Sequence, residues 1–148
     1  MTKKKILVVT DGSCSPNPGD GGWAAILKYN GEVKTLVGAE SDTTNIRMEL
    51  TAIIKGLEAV KPQYRGWPVK VVTDSEFSAD AVTKWMSRWK ANGFKKRKNV
   101  DLLKILDAIT SQFPNLEFEW VKAHNGHYMN ERADELATAA RVELGERK

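Results

Sequence analysis

Three acidic residues occupy positions at which a folded chain could bring their carboxylates together. Asp11 follows the apolar run 5–10, and Asp74 follows the apolar run 69–73. If the two runs form neighbouring parallel strands, about 4.8 Å apart, both aspartates lie at one edge of the sheet. Glu49 lies beside the buried stripe of a predicted helix, near its start, where a carboxylate needs a hydrogen-bonding or metal partner. The three side chains could therefore share a cation.

A fourth candidate, Asp134, lies in the first turns of the last predicted helix, behind a loop that carries the only two histidines, His124 and His127. Four clustered carboxylates repel one another unless cations are bound. Oxygen ligands without a Cys or His ligand pattern predict Mg²⁺, with Mn²⁺ as its substitute, rather than zinc. Two such ions about 4 Å apart can stabilise the attacking and leaving oxygens of a phosphodiester displacement. A loop histidine near them can carry a proton at neutral pH.

Each of these residues also has a structural explanation that needs no metal. An aspartate after a strand often begins a turn or caps a helix, and a glutamate near a helix start is favoured by the helix dipole. A histidine in a loop is most often a surface residue. The two aspartates at the same predicted sheet edge favour the metal site, because two separate caps would not need to coincide there.

Hydrophobic periodicity predicts the elements that would position these residues. Asn30-Gly31 separates two strand candidates and predicts a tight hairpin. The later strands each follow helices, so they lie parallel to the first strand, which separates the meander from the fourth strand. The sequence predicts an α/β fold with a mixed five-stranded sheet, an antiparallel meander plus parallel strands, flanked by helices. The predicted strands are 5–10, 22–29, 32–39, 69–73 and 116–121, and the predicted helices run from Thr43 or Thr44 to about Val60, from about Glu76, from Asn99 or Asp101 to about Gln112, and from about Asn130 to Leu144.

Two of these helices carry apolar patterns that predict their buried faces. Side chains at helical spacing in the first helix form a stripe of Ile46, Leu50, Ile53, Ile54, Leu57 and Val60. Side chains four residues apart in the second helix form a stack of Phe77, Ala81, Trp85 and Trp89. The first stripe leaves Glu49 on its margin, and this position makes Glu49 a site candidate.

Residues 88–98, with the sequence RWKANGFKKRK, form a basic segment. The segment contains six of the 23 Lys and Arg residues and none of the 19 acidic residues, so the rest of the chain is slightly negative although the net charge is +4. A concentrated basic patch is typical of a surface that binds a polyanion, but such a run can also be a solvated face. Trp85, Trp89 and Phe94 favour nucleic acid, because aromatic rings next to bases or sugars add affinity.

Length and composition indicate a single domain over residues 1–148, large enough to bury a core without disulfides. The one cysteine, Cys14, excludes a disulfide within the chain and fits a reducing compartment. The basic start of the chain is not followed by a signal-peptide core, and no stretch reaches the roughly 20 apolar residues of a membrane span. We expect a cytoplasmic, free-standing monomer that does not bind a membrane.

Four motifs, in order along almost the whole chain, resemble the type 1 ribonuclease H family. They are TDGSC at 10–14 with NPG at 17–19, TTNIRMEL at 43–50, TDS at 73–75, and VKAHNGH followed by NERADELA within 121–137. Each motif is short, but four of them in the matching strand and helix contexts are specific.

The resemblance implies a metal-dependent endonuclease that hydrolyses the RNA strand of RNA/DNA hybrids and leaves 3′-hydroxyl and 5′-phosphate ends. It implies that Asp11, Glu49, Asp74 and Asp134 bind the metal and act in catalysis. It also implies that His124 assists proton transfer or product release.

The resemblance further implies where the hybrid binds. Cys14, Asn17 and Asn45 would lie along the substrate groove, with backbone groups near the RNA 2′-hydroxyls. Thr44 and Asn99 would match a pocket that grips a DNA-strand phosphate. The chain from Trp85 through Lys98 is similar to the family's basic protrusion, which holds the DNA strand. Its contact candidates are Trp85, Trp89, Lys90, Lys95, Lys96, Arg97 and Lys98.

Four features depart from the family pattern. Ile46 replaces an asparagine, Glu76 stands where a glutamine is common, Ala123 replaces a glycine before His124, and the basic protrusion is several residues shorter. None of these changes removes a candidate metal ligand, so we expect an active enzyme. Two other functions stay open: a non-catalytic module that binds hybrids, and a nuclease of the same fold that cuts junctions or DNA.

Overall fold

The first three strands form an antiparallel meander in the computed structural model, which describes residues 5–122 and 127–148. Strand β1 (Ile6–Cys14) pairs with β2 (Gly19–Tyr29), and β2 pairs with β3 (Glu32–Thr43). The β2–β3 turn is Asn30-Gly31, with φ angles of 51° and 81°, so the predicted hairpin is confirmed. All three strands are longer than predicted, because their pairing continues beyond the apolar runs.

Two further strands lie parallel to β1 on its other side. Strand β4 (Val69–Thr73) pairs with β1, and β5 (Leu116–Trp120) pairs with β4, which gives the order β3-β2-β1-β4-β5. The predicted mixed five-stranded sheet is confirmed, including the place of β1 between the meander and β4. The strand order reverses between β1 and β4, which is where open α/β sheets form their binding sites.

Helices cover both faces of the sheet. In chain order they are α1 (Asn45–Glu58), α2 (Glu76–Asp80), a π-helical turn (Ala81–Trp85), α3 (Met86–Ala91), α4 (Val100–Thr110) and α5 (Tyr128–Glu146), with a 3₁₀ turn at Pro62–Tyr64. Leu50 of α1 and Leu103 of α4 belong to the main core on one face, and Ala133 of α5 packs with Val9 on the other. Every helix in residues 5–122 and 127–148 is too short or too polar to span a lipid bilayer.

Helix α1 is buried over more of its circumference than its stripe predicts. Met48 is buried in addition to the predicted residues Leu50, Ile53, Ile54, Leu57 and Val60. The prediction that Ile46 is buried is wrong, because its side chain is 41% exposed. Ile46 lies in the first turn of α1 and lines an open cavity beside the basic segment, which leaves its side chain accessible to solvent.

The second predicted helix is not one continuous α-helix, because a π-helical turn separates α2 from α3. Such a turn adds about one residue, which rotates the following side chains by about 100°. An uninterrupted α-helix would place Phe77 and Trp85 about 80° apart around its axis, and the extra residue reduces this to about 20°. Phe77, Trp85 and Trp89 therefore form a three-ring cluster, with centroids 6.0, 6.2 and 5.6 Å apart, instead of the predicted linear stack.

Candidate active site

Asp11 and Asp74 lie side by side where β1 and β4 separate. The parallel pairing of these strands ends at Thr10↔Thr73, and Asp11 and Asp74 are the residues that directly follow this last pair. Asp74 follows β4 as predicted. Asp11 does not follow β1 but lies within it, because β1 continues as the hairpin partner of β2, with Asp11 opposite Ala24. The sheet thus fixes the Asp11 backbone through β2 while its side chain shares the open end of β4 with Asp74.

Glu49 reaches the same place from α1 because Gly12 lets the helix approach β1 closely. A Cβ atom at Gly12 would lie 2.4 Å from the backbone nitrogen of Glu49, a distance that real Cβ atoms do not adopt. The Gly12 N–H donates to Glu49 Oε1 over 3.0 Å. Glycine at this position therefore both makes room for the helix and holds one carboxylate oxygen.

Asp11, Glu49 and Asp74 form an acidic cluster, in which one oxygen of each carboxylate lies within 4.8 Å of the others. Asp11 is 2% exposed and Glu49 is 9% exposed. Asp11 Oδ2 and Glu49 Oε2 are buried without a hydrogen-bond partner. In residues 5–122 and 127–148, no Lys or Arg forms a salt bridge with the cluster. Buried carboxylate oxygens without partners are costly, and a divalent cation satisfies them, so these residues fit a metal ion.

Burial raises the pKa of all three carboxyl groups, and repulsion within the cluster adds to the rise for Asp11 and Glu49. Burial raises the pKa of Asp11 to about 11, and the charges of Glu49 and Asp74 contribute to this rise. Burial, followed by the charge of Asp74, raises the pKa of Glu49 to about 8. Burial also raises the pKa of Asp74. Without a cation, the cluster therefore does not carry three negative charges at neutral pH.

Asp134 lies beside the acidic cluster, on α5. It is half-buried and close enough to contribute to the raised pKa of Asp11 and, through its charge, to that of Asp74. Its oxygens are not among those that lie within 4.8 Å of one another. The structure thus brings three of the four predicted acids together and places the fourth next to them.

Of the two histidines, His127 belongs to the described residues and His124 does not. The predicted catalytic residue His124, with Ala123 before it, lies outside the described residues. His127 precedes α5, and its Nδ1 accepts the backbone N–H of Asn130 over 3.1 Å. Helix α5 therefore begins at Tyr128, two residues earlier than predicted, because the His127 side chain caps it.

The residues predicted to line the substrate groove are hydrogen-bonded to one another. Asn45 Oδ1 accepts the Cys14 backbone N–H over 2.7 Å, and Asn17 Oδ1 accepts the Asn45 backbone N–H over 3.1 Å. Asn17 and Asn45 are exposed. The Cys14 thiol is buried, and its one S–H lies within reach of the carbonyl oxygens of Pro16 and Thr43, each 3.3 Å from Sγ. Cys14 can therefore meet a ligand only through its backbone.

Thr44 and Asn99, predicted to form a phosphate pocket, lie at the N-terminal ends of two different helices. Thr44 caps α1, where its Oγ1 accepts the Arg47 backbone N–H over 3.2 Å. Asn99 precedes α4 in a left-handed conformation with a φ of 60°. The Arg47 guanidinium donates to Asn99 Oδ1 over 3.3 Å. Arg47 thus connects the two residues, a role that the sequence pattern did not indicate.

The basic segment exposes its charges beside the three-ring cluster. The four basic residues 95–98 are exposed, and the Arg97 guanidinium lies over the Trp89 ring, 5.2 Å from its centroid. Trp89 is only 7% exposed and packs in the main core, so it supports the segment and offers little surface to a ligand. Trp85 is half-buried and lines an open cavity of about 470 Å³ with Phe77 and Arg88.

Comparison with known proteins agrees with this geometry. The family model described as RNase H matches residues 3–142. The chain belongs to the ribonuclease H family. The Ribonuclease H of Francisella philomiragia subsp. philomiragia is 47% identical to it in an alignment of 147 positions that covers 96% of this chain and 94% of that protein. The Ribonuclease H of Francisella tularensis subsp. novicida is 46% identical with the same coverage.

Solved structures of ribonucleases H share the fold. LC9-RNase H1, a type 1 RNase H with the type 2 active-site motif, matches with a TM-score of 0.79 and 25% identity over 97% of this chain and 74% of its own. LC11-RNase H1, solved in complex with an RNA/DNA hybrid, matches with a TM-score of 0.71 and 25% identity over 94% of this chain and 98% of its own. The type 1 ribonuclease H resemblance seen in the motifs is therefore confirmed.

The surroundings of three positions of this ribonuclease H bear on the roles predicted for them. Lys90, a predicted substrate contact, forms a salt bridge with Asp107 over 3.1 Å, so part of its charge serves the packing of α3 against α4. Glu76 is exposed in the first turn of α2. Ile46 lines a cavity of about 260 Å³ together with Asn99. An apolar side chain thus faces the open cavity between α1 and the basic segment.

Trp120 is a second residue of this ribonuclease H that the sequence did not indicate. Its indole Nε1 donates to the backbone oxygen of Asp74 over 3.1 Å, and its ring is 48% exposed. The next residue, Val121, donates its N–H to the Thr73 carbonyl over 2.9 Å. Strand β5 therefore holds the backbone from which Asp74 projects. The alternation of LEFEW predicts the strand but not this contact, because the contact depends on the register of β5 against β4.

Proposed function

We propose that this ribonuclease H is a metal-dependent endonuclease that hydrolyses the RNA strand of RNA/DNA hybrids and leaves 3′-hydroxyl and 5′-phosphate ends. The observation that carries the proposal is the acidic cluster, whose carboxylate oxygens lie within 4.8 Å of one another although they come from three separate segments. The complex of LC11-RNase H1 with an RNA/DNA hybrid supports the choice of substrate. Residues 1–148 act as one catalytic domain.

Asp11, Glu49 and Asp74 hold Mg²⁺, with Mn²⁺ as its substitute, and Asp134 is the fourth ligand. Bound metal supplies an activated water and stabilises charge on the phosphate oxygens. The protein keeps the ligand oxygens available for this role. The Gly12 N–H occupies Glu49 Oε1, which fixes the carboxylate and leaves Oε2 without a partner. Asp11 Oδ2 is available in the same way.

His124 assists proton transfer or product release. The position of His124 in the sequence supports this role. It precedes α5 by four residues, and α5 carries Asp134 beside Asp11. A neutral imidazole in this loop can accept a proton and release it at physiological pH.

The hybrid lies across the sheet edge, with its two strands on different parts of the surface. Asn17, Asn45 and the backbone of Cys14 contact the RNA strand near its 2′-hydroxyls, which selects RNA for cutting. Thr44 and Asn99 grip a phosphate of the DNA strand. Exposed charges of the basic segment hold the DNA strand further along, with Trp85 as the exposed ring, and Trp89 and Lys90 act mainly as its support. The charged contacts of this surface are Lys95, Lys96, Arg97 and Lys98.

A panel of labelled RNA/DNA, RNA/RNA and DNA/DNA duplexes, each incubated with Mg²⁺, Mn²⁺ or EDTA, tests the proposal. We expect cutting only of the RNA strand of the hybrid, with either metal and not in EDTA. The product ends are checked with a 5′-phosphate-dependent exonuclease, which should degrade the downstream fragment, and with a polymerase that extends only 3′-hydroxyl ends.

Each departure from that pattern contradicts a different part of the proposal. Equal cutting of DNA/DNA would contradict the substrate, and undiminished cutting in EDTA would contradict the metal mechanism. Binding of the hybrid without cutting under any metal would indicate a binding module. Fragments that resist the exonuclease would contradict the assigned product ends.

A further inference from the structure

Arg47 contacts the N-terminal ends of two helices that are far apart in the sequence. Its backbone N–H donates to Thr44 Oγ1 at the start of α1. Its guanidinium reaches the start of α4, where Nη1 and Nη2 donate to the two carboxylate oxygens of Asp101 over 3.0 and 2.8 Å. Nη1 also donates to Asn99 Oδ1 over 3.3 Å. One residue therefore touches both members of the phosphate pocket assigned above.

The contact with Asn99 determines which way its amide group faces. A guanidinium has only donors, so it can bond the amide oxygen of Asn99 but not the amide nitrogen. With Oδ1 bound to Arg47, the Nδ2 group is directed away from the guanidinium. Within the described part of the chain, Nδ2 donates no hydrogen bond. Nδ2 is a donor, which is the kind of group that a phosphate oxygen needs.

Asp101 holds the guanidinium in the position that this orientation requires. A bidentate arginine–carboxylate pair fixes the plane of the guanidinium as well as its distance. The hydrogen bonds from Arg47 lower the pKa of Asp101 to about 2, so the pair stays ionised at any pH at which an enzyme of this kind is assayed. The pair also neutralises the Asp101 charge, which would otherwise repel a phosphate close to Asn99. Asn99 itself has a left-handed φ of 60°, a conformation that benefits from such support.

We propose that Arg47 is a positioning residue that orients the Asn99 side-chain amide toward a DNA-strand phosphate, with Asp101 holding its guanidinium in place. The proposal rests on the proposed function, since the phosphate belongs to a bound RNA/DNA hybrid. Three guanidinium N–H contacts are made within the protein, to Asn99 and Asp101. These contacts hold the guanidinium against Asn99, and two of its five N–H groups remain, so the variants below separate positioning from direct binding of the phosphate.

The test uses hybrids in which one DNA-strand phosphate at a time is replaced by an uncharged methylphosphonate. In the wild-type protein, the substitution that faces the pocket should raise KM about tenfold, the size expected for one charge-assisted hydrogen bond, with kcat within about twofold. Asn99→Ala should have a high KM on the unmodified hybrid and no further penalty from that methylphosphonate. This pair of measurements identifies the phosphate before Arg47 is changed.

Arg47→Gln and Asp101→Asn then decide between positioning and direct binding. Positioning predicts that both variants reduce the methylphosphonate penalty to about twofold or less, because both release the Asn99 amide. Direct binding by Arg47 predicts that Asp101→Asn keeps or enlarges the penalty, because it frees the guanidinium. The Asp101 side chain is 62% exposed, so its replacement does not threaten folding. Arg65→Gln is the matched control, because Arg65 also bridges separate segments but lies far from the pocket, and it should keep the full penalty.

A second measurement does not depend on cutting. The side-chain amide protons of Asn99 in an NMR spectrum of the free protein should shift in Arg47→Gln and in Asp101→Asn, and not in Arg65→Gln. If the wild-type protein cuts no hybrid, the proposed function is overturned, and so is the assignment of a DNA-strand phosphate as the ligand of Asn99. A wild-type protein that cuts, with the full penalty retained in Asp101→Asn, would overturn the role of Arg47 alone.

Discussion

The acidic cluster and the basic segment differ in how the fold holds them. The acids project from β1, β4 and the start of α1, and the two most buried, Asp11 and Glu49, are 2% and 9% exposed. The charges at 95–98 are exposed and lie on a turn between α3 and α4. The ring of Trp89, over which the Arg97 guanidinium lies, is buried in the core.

This difference suits the two regions to different functions, metal binding and binding of a phosphate backbone. A metal site requires fixed oxygens, and the acids proposed to form one project from strands and a helix of the core, where burial of a carboxylate is costly. A surface that follows a phosphate backbone needs charge at the right distance but little precision, so exposed side chains on a turn suffice. We therefore expect substitutions in the acidic cluster to act on catalysis and stability, and substitutions in the basic segment to act on affinity.

The largest expected effect is the loss of cutting when one ligand of the acidic cluster is neutralised. Asp11→Asn keeps the shape of the side chain and removes its charge, so metal-dependent hydrolysis should fall at least about 1,000-fold while most hybrid binding is kept. Single-turnover cutting and a filter-binding titration measure the two quantities. Asp42→Asn is the matched control, because Asp42 is exposed and its φ of 53° suits asparagine. Equal loss of binding and cutting in Asp11→Asn would contradict the separation of roles.

The next effect is on affinity and belongs to the basic segment. Replacement of residues 95–98 by alanine should weaken hybrid binding on the order of 100-fold at low salt, with kcat at saturating substrate within about twofold. The log–log salt slope should fall by about 0.9 for every phosphate that the variant no longer neutralises. A control that removes four exposed lysines from the opposite end of the sheet should leave the slope unchanged; these are Lys28, Lys34, Lys55 and Lys61. An unchanged slope in the first variant would show that the segment lies outside the interface.

A third effect concerns the stability of the metal-free protein. In the folded chain the pKa of Asp11 is raised to about 11 and that of Glu49 to about 8, whereas both are about 4 in an unfolded chain. The folded state therefore holds more protons than the unfolded state above pH 4, and stability is lost as the pH rises from about 4, up to about 8 for Glu49 and about 11 for Asp11. Asp11→Asn removes one such group, so it should raise the free energy of unfolding by about 2 kcal/mol at pH 8 and by less at pH 5.

Urea unfolding in EDTA at pH 5, 6, 7 and 8 measures this effect. Saturating Mg²⁺ should stabilise the wild type more than Asp11→Asn, because only the wild type keeps its full set of ligands. If the free energy of unfolding of the two proteins in EDTA changes with pH in the same way, the acidic cluster does not destabilise the metal-free fold.

The elements could be predicted from the sequence where a local pattern determined them. Alternation and the Asn30-Gly31 turn predicted the meander, and the position of Glu49 beside an apolar stripe predicted its burial. The end of β1 was missed because Asp11 to Cys14 are polar or small and are held only by pairing with β2. The break in the second helix was missed because the i, i+4 spacing of its apolar residues suits an uninterrupted α-helix and does not reveal the extra residue of a π-helical turn.

The candidate site, like the fold, could be predicted from the sequence only in part. The meeting of Asp11, Glu49 and Asp74 could be predicted because the parallel order of β1 and β4 follows from the helical crossovers. The links made by Arg47 and by Trp120 could not be predicted, because each joins two segments whose separation in space depends on strand register and helix packing. Contacts of this kind connect the acidic cluster and the proposed phosphate pocket to the rest of the fold.

The smallest expected effect tests one of those links. Trp120→Phe keeps an aromatic ring and removes the N–H that binds the Asp74 backbone oxygen. A neutral hydrogen bond contributes about 1 kcal/mol, so Mn²⁺ affinity measured by calorimetry should fall about fivefold as the Asp74 backbone loosens. Trp67→Phe is the control, since Trp67 packs with Tyr29 and Tyr64 at the other end of the sheet, and its Mn²⁺ affinity should equal that of the wild type. If Trp120→Phe binds Mn²⁺ as tightly as Trp67→Phe, β5 does not help to hold the acidic cluster, and the rigidity of the site comes from β1, β4 and α1 alone.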